Sequence, residues 1–361
     1  MKPTQKLHDL GQSLWLDNIT RQMLDDGTLR RYISDFAVTG LTSNPTIFDE
    51  AIGGSQSYDR SIQQKARAGL KDEALFVELA LEDLKRAADL FRPEFDRTQG
   101  LDGWVSMEVS PLLADDTRST VEAARQIHRA ADRPNLYVKI PGTPAGVAAI
   151  EEAIFTGIPV NVTLLFSREH YLAIAEAYMK GIERRLAAGH DPRVSSVASL
   201  FVSRWDRAVQ DKVPAELVNR LGIAIAQRTY RAYCELLESK RWQALAAQGA
   251  VPQRMLWAST GVKDPKASPT LYVEALAAPD TVDTMPEKTL LAFAEKGNTA
   301  GPLRKDGGDA EQVLARFAQA GIDVGALAQR LQSEGAQSFV KSWRGLMQSI
   351  AEKSSALTTA S

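Results

Sequence analysis

Eight short stretches of this chain read as strands, and nearly every one is followed by a helical pattern before the next begins. They are Ser13–Asp17, AVTGLT from Ala37, WVSMEVS from Trp104, LYVKI from Leu136, IPVNVTLLFS from Ile158, SVASLF from Ser196, MLWAS from Met255, and Thr281–Met285. Strands that alternate with helices and form no hairpins pair in parallel, because each helix returns the chain to the edge where the next strand starts. Eight such units close a barrel, and an open doubly wound sheet is the competing arrangement. The expectation is an α/β fold, a (β/α)8 TIM barrel forming a single domain over residues 1–361. Extra helices would be inserted between the second and third strands, about 46–97, and appended at the C-terminus, about 310–351. These last helices are expected to pack on the outside, with KSSALTTAS frayed.

The fourth unit, Leu136 to Gly157, carries the least ordinary side chain. Leu136, Val138 and Ile140 face one way and Tyr137 and Lys139 the other, since strand side chains repeat every two residues. Pro141 and Gly142 end the strand, Thr143 is an N-cap with Pro144 at the first helical position, and Val147, Ile150 and Ile154 form an apolar stripe. A lysine on such a strand could snorkel its ammonium to solvent. Taken out of water, it could instead be neutral and attack a carbonyl, which is what Schiff-base catalysis needs.

Composition narrows the partners. The chain has 43 Lys+Arg against 45 Asp+Glu, a formal charge of −2, so no broad basic field for nucleic acid or an acidic membrane is implied. The single cysteine, Cys234, sits in a helical pattern and reads as a buried structural thiol. The four histidines lack ligand spacing, and no metal or cofactor is expected; neither phosphate-loop glycine motif occurs. Without a signal-like or membrane-spanning apolar run, the reading is a soluble cytoplasmic protein. Whether copies of the chain form a homo-oligomer is left open.

In a barrel all strand C-terminal ends meet at one mouth. Asp17, Asn44, Glu108, Lys139, Asn161, Thr163, Ser199 and Ser259 all fall at or just after such ends. Each alone could be a cap or a satisfied polar core residue, but burying two carboxylates, a lysine and several amides and hydroxyls together would cost several kcal/mol unless they paired. Their chemistry also fits together: a lysine to add to a ketone, a carboxylate to carry protons, Asn and Ser to orient sugar hydroxyls. Arg204 and Lys263, read as loop residues at the same mouth, could hold a phosphate, and Phe201 and Val162 could shield the site from water.

The ordered set WLD at Asp17, TSNP at Asn44, SMEVS at Glu108, YVKIPGT at Lys139, NVTLLFS at Asn161 and Thr163, SLFVSR at Ser199 and Arg204, and ASTGVKDP with TMPEKT resembles the transaldolase family, in its longer bacterial branch. The similarity spans roughly Asp17 to Gly297. It implies class I transfer of a dihydroxyacetone unit from sedoheptulose 7-phosphate to glyceraldehyde 3-phosphate, in the pentose phosphate pathway. Lys139 would form the imine, Asp17 would take the C4 hydroxyl proton, and Glu108 and Thr163 would hold a proton-shuttling water. Asn44, Asn161 and Ser199 would orient the dihydroxyacetone hydroxyls, with Ser259 at the same mouth. Arg204 is similar to the family's phosphate-binding arginine. Where many relatives carry a second arginine, two residues after the serine, this chain has Gly261, and Lys263 is the candidate substitute. The alternatives are an aldolase releasing free dihydroxyacetone from fructose 6-phosphate, and a sugar-phosphate-binding barrel without turnover.

Overall fold

The structure is a computed structural model and describes residues 1–299 and 301–359. Its strands are β1 (Ser13–Asp17), β2 (Val38–Thr42), β3 (Val105–Glu108), β4 (Leu136–Pro141), β5 (Val160–Leu165), β6 (Ser196–Phe201), β7 (Gln253–Ala258) and β8 (Val282–Met285). They run parallel in sequence order and close into a barrel, with Ser13 through Leu16 paired to Val282 through Met285. That register excludes the open sheet. Almost every strand residue is buried, as strands covered by side chains inside and helices outside must be.

The mouth is built from strand ends that turn directly into capped helices. Asn44 accepts a hydrogen bond from the Ile47 amide, Thr143 from Gly146 and Ser167 from His170, so each polar residue after a strand satisfies an amide that would otherwise lack a partner. The insertion is three helices, Pro45–Gly53, Asp59–Arg67 and Asp72–Arg97, close to the expected 46–97. Among the described residues no helix is long and apolar enough to cross a membrane. Cys234 is buried, as expected.

Two expectations fail at the C-terminus. The final helix, Val324–Thr359, does not lie only on the outside: it crosses the mouth and places Phe339 in the cavity there. Nor is the KSSALTTAS segment frayed through its described part, which is helical to Thr359; Ala360 and Ser361 lie outside the described residues. The Lys353 ammonium donates to Asp59 at 3.0 Å, and Gln63 donates to the Leu357 carbonyl at 3.0 Å, so contacts with the insertion hold the end of the helix in place. Arg204 also differs from its expected loop setting: it belongs to a short helix, Ser203–Val209, that starts just after β6.

Candidate active site

Register does the first part of the assembly. Glu108 on β3, Lys139 on β4 and Asn161 on β5 are direct partners in adjacent strands, so they stand at one level inside the barrel. Thr163 stands one level higher, two residues on from Asn161. Beneath Lys139 the Tyr137 ring stacks on Trp104 and leans against Trp15, giving the site an aromatic floor.

Lys139 is buried, 5% exposed as a residue, and its amine is held on two sides. It donates to the Ser43 carbonyl at 3.1 Å and lies 3.1 Å from Glu108 Oε2, close enough for an ion pair though not aligned as a hydrogen bond. Burial raises the Glu108 carboxyl above its ordinary range, and the nearby Lys139 ammonium partly offsets this. Glu108 Oε1 and Thr163 Oγ1 are both buried with no hydrogen-bond partner among the described residues. On the opposite wall Thr42 donates to Asp17 Oδ1 at 2.8 Å, and the Thr42 and Thr284 hydroxyls are 2.7 Å apart. Burial raises Asp17 too, against the pull of Lys139 and the Thr42 hydrogen bond.

Asp17, Asn44, Lys139, Thr163, Ser199, Arg204, Ser259 and Lys263 line one cavity of about 120 Å³, roofed by Phe201 and Phe339. Glu108 and Asn161 lie just behind its wall. The Asn161 amide donates to Ser106 Oγ at 3.0 Å and its oxygen accepts from Ser199 at 2.7 Å, so its visible work is to aim Ser199. Val162 is not part of the lining, because alternation turns it away from Asn161 and Thr163; the shield is Phe201 and Phe339. A larger groove of about 1000 Å³ beside the C-terminal helix includes none of the expected site residues, so chemistry and not size marks the site.

The small cavity shares Arg204, Ser259 and Lys263 with an outer vestibule of about 510 Å³ that also includes Arg207 and Ser338. Arg204 is half-buried, its guanidinium 5.0 Å from the Phe201 ring and 5.9 Å from that of Phe339. No carboxylate pairs with it among the described residues. Burial, and then Arg207, hold its pKa below the usual value. This is a cationic wall with unused donors. Ser259 Oγ lies 3.0 Å from Ser203 Oγ, and Ser259 has a left-handed φ of 55°, a strained turn that aims the loop inward.

The sequence pointed to every expected site residue now found at this mouth, but it missed Thr42, Ser43, Ser106, Thr284, Arg207 and Phe339. Ser106 shares a face with Glu108 and Thr42 sits two residues before Asn44, so period-2 counting could have found both. A backbone carbonyl such as that of Ser43 leaves no signature.

Comparison with known proteins gives the family. The Transaldolase/Fructose-6-phosphate aldolase family matches residues 14–350. The chain belongs to this family. The match extends beyond the Asp17–Gly297 range of the sequence motifs and takes in the C-terminal helix that crosses the mouth. A protein of Saccharopolyspora erythraea named Transaldolase is 44% identical over 97% of this chain and 97% of its own length. Another of that name from Thiobacillus denitrificans is 43% identical, covering 97% and 100%. Transaldolase 2 of a Nostoc species is 38% identical, covering 96% of each. The chain is thus an enzyme of aldehyde- or ketone-residue transfer.

Proposed function

We propose that the chain moves a dihydroxyacetone unit between sugar phosphates, from sedoheptulose 7-phosphate to glyceraldehyde 3-phosphate, through an imine on Lys139. The observation that carries this reading is a buried amine 3.1 Å from one carboxylate, lining a cavity shared with a second acid and an unpaired arginine. In the neutral form Nζ adds to the ketone carbon. The resulting carbinolamine loses its hydroxyl as water, with Glu108 and Thr163 passing the proton through the hydrogen-bonding capacity they have left over.

Asp17 then takes the proton from the C4 hydroxyl. The C4–O bond becomes a carbonyl, the C3–C4 electron pair moves into the iminium, and an aldehyde leaves an enamine behind. The enamine attacks the acceptor aldehyde, Asp17 returns the proton to the new alkoxide, and water hydrolyses the imine. Arg204 and Lys263 hold the phosphate, while Asn44, Ser199 and Ser259 meet the hydroxyls. Because the C-terminal helix supplies part of this cavity, we also take it and the insertion as one folding unit with the barrel. We place the enzyme in the cytoplasm, since charged sugar phosphates do not readily cross a membrane.

The family description also names an aldolase. Release to water would need an open enamine, and the Phe201 and Phe339 rings over the cavity favour transfer. Borohydride with fructose 6-phosphate is expected to trap a stable mass increase on wild type and none on Lys139→Met. A wild type that stays unlabelled at saturating substrate rules out the imine. Dihydroxyacetone released at a comparable rate with and without erythrose 4-phosphate assigns the aldolase. Ligand binding that survives Lys139→Met without any adduct in wild type assigns the non-catalytic barrel.

A further inference from the structure

Asp283 is among the buried acids that take no part in this mechanism. Asp283 is fully buried on β8, next to Thr284 in sequence but on the opposite face of the strand, outside the barrel. Beside it in register stand Leu14 on β1 and Trp257 on β7, both uncharged. Its Oδ2 has no hydrogen-bond partner among the described residues. Its Oδ1 lies 2.9 Å from the hydroxyl of Thr260, and that hydroxyl also lies 3.1 Å from the Thr284 carbonyl oxygen.

Thr260 is completely buried between Ser259 and Gly261, both of which line the catalytic cavity, and three residues before Lys263. Its side chain points away from the cavity and ties the loop to β8. The loop has little slack: a Cβ on Gly261 would come within 3.0 Å of Pro286 Cγ. We propose that Asp283 is a positioning residue, which through Thr260 fixes the loop that presents Ser259 and Lys263 to a phosphorylated substrate. The proposal rests on the sugar-phosphate reading of the site.

The hydrogen count decides which form of Asp283 does this. One hydroxyl has one proton to give, yet Thr260 faces two oxygens. With Asp283 protonated, its O–H donates to Thr260 and Thr260 donates to the Thr284 carbonyl, so both ties hold. With Asp283 ionised, the carboxylate claims the Thr260 proton, so the loop keeps its bond to Asp283 but loses the one to the Thr284 carbonyl, and one tie to β8 remains where there were two. Burial pushes this carboxyl up to about 7, opposed only by the Thr260 hydrogen bond, and no cation or other titratable group contributes. The latch therefore loosens near neutrality, from two ties to one.

The test is KM and kcat for fructose 6-phosphate, with erythrose 4-phosphate as acceptor, from about pH 5.5 to about pH 8.5 in wild type, Asp283→Asn and Asp283→Leu. An asparagine amide donates to Thr260 at every pH, and a leucine at none. Wild-type KM is expected to climb about three- to tenfold relative to Asp283→Asn across that range, while the Asn variant stays tight and the Leu variant is weak throughout. Titration of the substrate phosphate affects all three alike, so the wild-type to Asn ratio isolates Asp283. A ratio that does not change with pH overturns the latch, and the Asn variant suffices if the Leu variant does not fold. Borohydride trapping on wild type at about pH 6 separates the two levels. An adduct with a flat ratio removes only the latch, whereas no adduct removes the imine reading on which it rests.

Discussion

The two ends of the barrel interior use buried polar groups in opposite ways. At the closed end Arg254 of β7 donates to Ser13 Oγ and the Thr281 carbonyl, each at 2.7 Å, and to the Leu101 carbonyl at 3.1 Å, leaving only Nε without a partner. Nearby, Trp15 donates to Asp102 at 2.8 Å. At the mouth Glu108 Oε1 and Thr163 Oγ1 lack partners among the described residues, and Arg204 rests on two phenyl rings. Saturated groups hold a fold together; groups with spare hydrogen-bonding capacity are less favourable for the empty protein and available to a substrate.

The largest expected break in this contrast comes from Asp17→Asn. It should lower kcat by about 10²- to 10⁴-fold, the usual range for a lost proton carrier, while borohydride still traps the imine. Its stability should move the other way. Burial raises the Asp17 carboxyl, so whatever stability the acid contributes is present below its unfolded value of 3.8 and is lost as pH rises through the higher folded value. The variant, which never ionises, should melt above wild type at neutral pH, with the gain fading as the pH approaches the ordinary aspartate range. A lower melting temperature at neutral pH would place Asp17 among the stabilising groups and erase the contrast at this residue.

Next in size is the reciprocal change at the closed end. Arg254→Met removes three hydrogen bonds, of whose acceptors only the Thr281 carbonyl keeps another donor, the Ser13 amide, and should lower the unfolding free energy by about 2–4 kcal/mol in denaturant titration, with kcat at permissive temperature unchanged. A variant that instead keeps its stability and loses turnover would show that the two ends are coupled.

Much of the mouth was legible because catalysis and strand geometry obey the same period-2 rule. A lysine, a glutamate and an asparagine interrupt apolar strands, and register puts them side by side. The roof was not legible, because Phe339 reaches the cavity only through the path of a helix that begins at Val324, far along the chain from every strand. Arg207 was overlooked for a related reason: once Arg204 belongs to a helix and not a loop, the residue three further on shares its face. Asp283 sits in a strand that was recognised, but its significance depends on Thr260 reaching it from the preceding loop.

Phe339→Leu should have a smaller effect. It removes a ring 5.9 Å from the Arg204 guanidinium and 5.6 Å from the Lys139 amine while keeping apolar bulk. A cation–π contact of about 1 kcal/mol corresponds to roughly a fivefold rise in KM for the phosphorylated donor. Acceptor-independent release of dihydroxyacetone should rise with it, because the enamine is less well covered. A change in KM without a change in release would make the ring a partner of Arg204 alone.

The smallest expected effect is at Lys263, and it bears on how the chain manages with Gly261 in its loop. Lys263 is exposed, so its attraction for a phosphate is screened, and Lys263→Ala should raise KM only about two- to threefold, less at high salt. Lys263→Arg supplies a planar fork that can grip two phosphate oxygens at once, and it should lower KM below wild type. If neither change moves KM while Arg207→Ala does, the second cation is Arg207. It stands three residues after Arg204 on the same short helix, faces the same vestibule, and has no ion pair among the described residues to give up when a phosphate arrives.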